Sequence, residues 1–281
     1  TPMNDNSPDL DFTIVTPSYN YGHFITECIE SVLQQKGATW EHIIQDSCST
    51  DNTHEILQSY PHLKVSIEKD SGMSEGINRG FRKARGKWVM WLNTDDILKP
   101  GVLAAVKAFA EQHPEADVIH GAWEFVDEHR NHQRTMKALP YCHGLMVYYG
   151  CYIASTACFF RNQTIMGQDF FLNESFRYDM DGEYYVRLGV ANKTFVPFNK
   201  VLAEFRWHGN NLSFRHEEEH NIDMELLRRR QIAELSAISF AYGNLPFNRD
   251  VHNELLRAFK SECYRAYKGW LTYTTKKPGQ V

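Results

Sequence analysis

The sequence predicts an α/β fold: a central, mainly parallel sheet flanked by helices, with a helical C-terminal extension. Three observations carry this expectation. Short β-branched or apolar runs alternate with stretches whose apolar residues recur at helical spacing. Trp88-Val89-Met90-Trp91-Leu92 is apolar without interruption, the pattern of a strand buried on both faces of a parallel sheet. Three of the runs end in polar segments, and ligands of open α/β sheets bind beyond the carboxyl ends of the strands.

In chain order, residues 12–16 read as a strand closed by Pro17. Phe24, Ile25, Cys28, Ile29, Val32 and Leu33 then form a helix stripe up to Gly37. A strand over 41–45 leads into the polar turn 46–51, a short helix to Tyr60 and a strand over 64–67. A helix through Ile77, Phe81 and Ala84 stops at Gly86. The apolar strand, ending in Asn93-Thr94-Asp95-Asp96, precedes a helix over 101–112 and a strand over 117–121. The second half is less regular, with strands over 157–161 and 201–207 and a helix over 181–190. Two amphipathic helices follow, over 217–241 and 249–271, separated by Gly243-Asn244-Leu245-Pro246. No linker divides the chain, so it reads as one catalytic domain over 12–215 and an extension over 216–281.

The chain's 281 residues, 42% of them apolar, suffice for a substantial core and exclude a disordered chain. No apolar stretch approaches the roughly 20 residues that cross a bilayer, and no charged-then-apolar leader is seen. Six cysteines without a C-x-x-C pair point to free thiols in a reducing compartment, so the expected location is the cytoplasm. From Arg249 onward seven Lys/Arg face three Asp/Glu, whereas the whole chain carries −5, so a uniformly basic nucleic-acid surface is not expected. The last helix sets Leu255, Leu256, Phe259, Cys263, Tyr267, Trp270 and Leu271 beside Arg257, Lys260, Arg265 and Lys268. That composition fits packing onto the domain, a second subunit in a homo-oligomer, or peripheral contact at the inner face of a membrane.

Asp95-Asp96 is the most informative pair. Adjacent carboxylates after a buried strand repel each other unless a hard divalent cation such as Mg²⁺ or Mn²⁺ joins them to a substrate phosphate; the competing reading is a solvated helix start. Neither G-x-x-x-x-G-K-[ST] nor G-x-G-x-x-G after the first strand is present, which excludes a P-loop and a dinucleotide fingerprint. His216-Glu217-Glu218-Glu219-His220 matches H-E-x-x-H, whose histidines at i and i+4 would bind zinc in a hydrolase. The intensely polar surroundings argue instead for a solvated helix.

Six segments in order resemble the signatures of family 2 glycosyltransferases with the GT-A fold: Thr13 to Asn20, Gln45 to Thr53, Asp70-Ser71-Gly72 with Gly76 to Gly80, Trp91 to Asp96, Tyr178 to Leu188, and Glu204 to Ser213. The resemblance implies a Rossmann-like domain that moves a sugar from a nucleotide-sugar donor, UDP-linked, to a glycan or lipid-linked acceptor in surface polysaccharide assembly. It implies that Thr16, Pro17, Tyr19 and Asp46 form the nucleobase pocket and that Asp70 and Asn78 border the nucleotide. Asp95 would reach the ribose side, Asp96 would ligate Mn²⁺ or Mg²⁺ on the diphosphate, His208 would complete the metal site, and Asp181 would be the general base.

Displacing a nucleoside diphosphate builds negative charge that a cation stabilises, and a base on the opposite face takes the acceptor proton, inverting the anomeric centre. Asp179 and Glu183 rival Asp181 for that role. Ser47 and Cys48 stand where the family usually has glycines, and Cys48, beside the pocket, reads as a buried, inert thiol rather than a reactive one. Tyr141, Tyr148, Tyr149, Tyr152 and Trp123 offer rings to an acceptor, or ordinary packing. A catalytically inert GT-A module that binds nucleotide sugar or glycan is the alternative.

Overall fold

The computed structural model describes residues 10–143, 146, 151–176, 179–208 and 211. The first half follows a βα rhythm: β1 (Phe12–Ser18), α1 (Gly22–Leu33), β2 (Trp40–Asp46), α2 (Thr53–Gln58), β3 (Lys64–Ile67), α3 (Met73–Lys83), β4 (Trp88–Trp91), β5 (Ile97–Leu98), α4 (Val102–Gln112) and β6 (Val118–Val126). Then come β7 (His132–Met136), a 3₁₀ turn (Ser155–Ala157), β8 (Cys158–Arg161), α5 (Asn162–Gln168), α6 (Met180–Val190) and β9 (Phe195–Arg206). The strands form one sheet in the order β3-β2-β1-β4-β8-β6-β9-β5, with β7 also on β6.

The sheet is wholly parallel from β3 to β4. Beyond β4 it is mixed, because β8 runs antiparallel to both β4 and β6 while β9 runs parallel to β6. All residues of β1 and β4 are buried, as the uninterrupted apolar run requires. Their side chains alternate between two cores. Phe12, Ile14, Trp88 and Met90 meet α1 and α4, while Val15, Val89 and Trp91 meet α3 and α6. Gly80 lets α3 lie against β1, since a Cβ there would stand 2.3 Å from Val15 Cγ1.

Several elements depart from the expected pattern, among them β5, two residues paired antiparallel on β9. β9 starts at Phe195, six residues before the predicted strand, because its pairing with β6 continues past Pro197 and is interrupted by register shifts around Ala122. β7 was not expected: His132-Gln133-Arg134-Thr135 are exposed and pair on β6, leaving no apolar alternation to read. α5 is short and polar, below the length at which periodicity is legible. The predicted helices over 217–241 and 249–271, the extension 216–281 and its membrane or subunit contacts lie outside the described residues. Among the described residues no helix is long and apolar enough to cross a membrane.

Candidate functional site

β1, β2 and β4 run in one direction, so the segments after them open on one edge of the sheet. The first two are interlocked. Ser47 N donates to Ser18 O at 2.8 Å, Asn20 N to Ser49 Oγ at 2.8 Å, and Thr50 N to Asn20 Oδ1 at 2.7 Å. Asn20 (φ 56°) and Cys48 (φ 58°) both adopt the left-handed conformation at these turns. Gly22 opens α1 beneath them, where a Cβ would stand 2.2 Å from Asn52 Oδ1. Cys48 is exposed, which corrects the expectation of a buried thiol; the left-handed turn lifts it off the sheet.

Asp46, buried at the end of β2, accepts from Ser49 N at 2.8 Å, Ser49 Oγ at 2.6 Å and His54 Nε2 at 2.7 Å. Tyr19 is half exposed, with Lys69 Nζ 4.7 Å above its ring. Pro17 O accepts from Thr94 Oγ1 at 2.6 Å, tying the first loop to the acidic segment. Burial holds the Asp70 carboxyl above its ordinary range, while Asp70 N donates to Ser47 Oγ at 3.2 Å and Asp70 Oδ1 accepts from Gly72 N at 3.1 Å. Two expected nucleotide contacts do not join this group. Thr16 is fully buried with its hydroxyl 2.8 Å from His42 Nε2, and Asn78 spends its amide on Leu172 N and O and on Glu174 Oε1. Both side chains hold the fold together.

The acidic pair divides into two roles. Asp96 is buried, accepting from Arg206 N at 3.1 Å and Asn93 Nδ2 at 3.3 Å. Burial first, and then the charge of Asp95, push its carboxyl well above the usual range. Asp95 is the more accessible carboxylate, and its Oδ2 stands 3.1 Å from His208 Nε2. Sequence reading gave no role to the two residues that build this contact. Asn211 takes the His208 N–H on Oδ1 at 2.6 Å and donates to Arg206 O at 3.0 Å, closing the turn that carries His208. Arg206, buried, donates from Nε to Asp95 O at 3.0 Å, from Nη1 to Glu128 O at 3.0 Å and from Nη2 to Glu27 Oε2 at 3.0 Å, with Phe24 4.5 Å below. Both residues stand in the segment Glu204 to Ser213 that carries the resemblance, and that was the available signal. The Asn93 Oδ1 atom beside the pair is buried with no partner among the described residues.

Asp181 lies in the first turn of α6, its Oδ1 accepting from Gly182 N at 2.8 Å. α6 is seated against α3 through Ser74, whose hydroxyl has two acceptors within reach of its one proton, Phe176 O at 3.1 Å and Met180 Sδ at 3.0 Å. Asp179 is buried before the helix, and Glu183 pairs with Arg187 at 2.9 Å.

The profile of Glycosyl transferase family 2 spans residues 13–176. The chain belongs to this family. Among curated relatives, TuaG of Bacillus subtilis (strain 168), assigned by its name to teichuronic acid biosynthesis, is 39% identical over 30% of this chain and 35% of its own. A PGL/p-HBAD biosynthesis glycosyltransferase of Mycobacterium bovis (strain BCG / Pasteur 1173P2) is 30% identical over 39% of this chain and 45% of its own. These matches span less than half of either relative. The fold is that of S. aureus TarS 1-349 in complex with UDP-GlcNAc, at TM-score 0.65 and 20% identity over 89% of this chain and 71% of that one. It is also that of the mannosyltransferase PcManGT from Pyrobaculum calidifontis in complex with GDP-Man and Mn²⁺, at TM-score 0.55 and 14% identity over 95% and 86%.

A divalent cation suits this family 2 site. Asp96 is a buried carboxylate whose named hydrogen bonds come from neutral donors, and Asp95 and His208 present an oxygen and a ring nitrogen side by side. Among the described residues no three His, Cys, Asp or Glu side chains gather into a complete metal cage. His216 and His220 of the zinc reading lie outside the described residues. Most of the rings expected for an acceptor are committed to packing. Trp123 is buried, Tyr152 is buried with its hydroxyl on Pro140 O, and Tyr141 is stacked 4.1 Å from Phe195 with its hydroxyl on Tyr185 O. Tyr148 and Tyr149 lie outside the described residues.

Proposed function

We propose that this protein is an inverting glycosyltransferase that moves a sugar from a UDP-linked donor to a glycan or lipid-linked acceptor. The observation that carries the reading is the 3.1 Å contact of Asp95 with His208 above buried Asp96, on the edge where the loops after β1 and β2 interlock. The TarS complexes with UDP and UDP-GlcNAc and the PcManGT complex with Mn²⁺, on the same fold, support it.

In this reading the nucleobase lies between Tyr19 and Asp46, with Pro17 and Asp70 at its border. Asp95 and His208 are the residues that would hold Mn²⁺ or Mg²⁺, and Asp96 would brace them from beneath. This order differs from the expected one, which gave the cation to Asp96 and the ribose to Asp95; burial of Asp96 favours the exchange. The cation, when bound, supplies Lewis-acid stabilisation of the leaving diphosphate. Asp181 takes the proton of the acceptor hydroxyl as that oxygen attacks the anomeric carbon, an aid worth about 10²–10⁴-fold.

A thermal-shift screen of nucleoside diphosphates with and without Mn²⁺ tests the donor half. UDP with Mn²⁺ raises the melting temperature, and Asp95→Asn loses the Mn²⁺-dependent part. Donor turnover tests the rest: Asp181→Asn lowers it at least about 100-fold with UDP binding held within a few-fold. UDP binding without any turnover by the unmodified chain would identify an inert module instead.

A further inference from the structure

The strand directions put a second feature on the catalytic edge. β8 is antiparallel to both β4 and β6, so β6 runs with β4, and β9 runs with β6. The carboxyl ends of β6 and β9 therefore open where Asp95 stands. Between the β6–β7 hairpin and the end of β9 lies an open groove of about 480 Å³, lined by Phe125, Asp127, Gln133, Arg134 and Trp207. Its volume is within the range of small-molecule sites. Trp207 immediately precedes His208, and among the described residues it and Tyr19 are the exposed aromatic rings. Tyr19 sits at the nucleotide loops, under Lys69.

The groove is chemically mixed. Phe125 stands edge-on to Trp207 at 5.6 Å and 87°, and the Arg134 guanidinium lies 5.0 Å over Phe125. The hairpin tip is clamped from both sides: Arg130 Nε donates to Glu204 Oε2 at 2.8 Å, and Arg206 Nη1 donates to Glu128 O. Asp127 is occupied in shaping the turn, accepting from His129 N and Asn131 N at 3.0 and 2.8 Å. A half-exposed indole with a guanidinium and an amide lining the same groove suits a pyranose ring, whose C–H face packs on the indole while its hydroxyls reach the guanidinium and amide.

The geometry points to a carbohydrate subsite in this groove, holding a sugar ring of the acceptor glycan on Trp207 with Arg134 and Gln133 at its hydroxyls. The assignment rests on the glycosyl-transfer reading and adds to it a place for the acceptor chain outside the donor pocket.

The test uses the full chain and three probes: trisaccharides of a neutral hexose, an N-acetylhexosamine and a hexuronic acid, titrated calorimetrically with UDP and Mn²⁺ present. At least one trisaccharide binds. Trp207→Ala weakens it tenfold or more, Trp207→Tyr restores most of the affinity, and Arg134→Ala, away from His208, weakens it several-fold. The UDP thermal shift stays unchanged in all three variants. A normal UDP shift with no trisaccharide binding that depends on Trp207 or Arg134 overturns the subsite and leaves the glycosyl-transfer reading standing. Absence of a UDP shift in the unmodified chain defeats the underlying reading first. If Trp207→Ala lowers the melting temperature and leaves trisaccharide binding untouched, Trp207 serves packing alone and the subsite is overturned.

Discussion

Cys48 illustrates how a single backbone angle shapes the donor edge. An L-residue in the left-handed region is strained by roughly 1–2 kcal/mol, and glycine escapes that cost. The sequence resemblance flagged Ser47 and Cys48 as departures from glycine, and the φ of 58° at Cys48 supplies the physical reason glycine suits that position. Cys48→Gly is expected to unfold at a higher urea concentration than Cys48→Val, with a gap of about 1–2 kcal/mol, since a β-branched side chain tolerates positive φ worst. Equal midpoints would show that the turn carries no such strain.

At the scale of elements, the approach of α3 to β1 is set by one missing methyl group. Gly80→Ala places a Cβ where only 2.3 Å separates it from Val15, so overpacking is expected to cost about 1–3 kcal/mol by chemical denaturation. Val15→Ala in the same chain is expected to recover part of that loss, and a double-mutant cycle showing simple additivity would refute the close contact. β1 and β4 were legible because burial on both faces leaves apolar runs. The polar residues after β1, β2 and β4 were legible because an α/β sheet offers its loops on one edge. β7 was not, since an exposed strand pairing on β6 through its backbone needs no apolar alternation. The roles of Arg206 and Asn211 were hidden for another reason: both act across more than a hundred residues, on the Asp95 region, through hydrogen bonds that leave no local periodicity. Thr16 and Asn78 show the converse, polar residues in recognisable segments whose side chains serve the core.

For the whole molecule, two histidines buried in the sheet couple stability to pH. Burial lowers His42 on β2 to about 3, with a smaller push from His62, and lowers His120 on β6 to about 4. An unfolded histidine titrates near 6.5, so below that value the unfolded chain binds more protons. The stability linked to neutral His42 and His120 is present above pH 6.5 and is lost as pH falls toward those values, by roughly 1 kcal/mol per pH unit for each. Melting temperatures are expected to drop between pH 7 and 5. His120→Gln is expected to flatten that slope, and an unchanged slope would show that His120 is not held neutral.

The clasp formed by Arg206, His208 and Asn211 also sets a schedule for synthesis. The loops after β1 and β2 are complete by Thr53, whereas the residues that fasten the acidic pair follow more than 150 residues later in the chain. A nascent chain still lacking β9 holds both loops and none of the residues that fasten the acidic pair, so the two halves of this edge leave the ribosome in sequence.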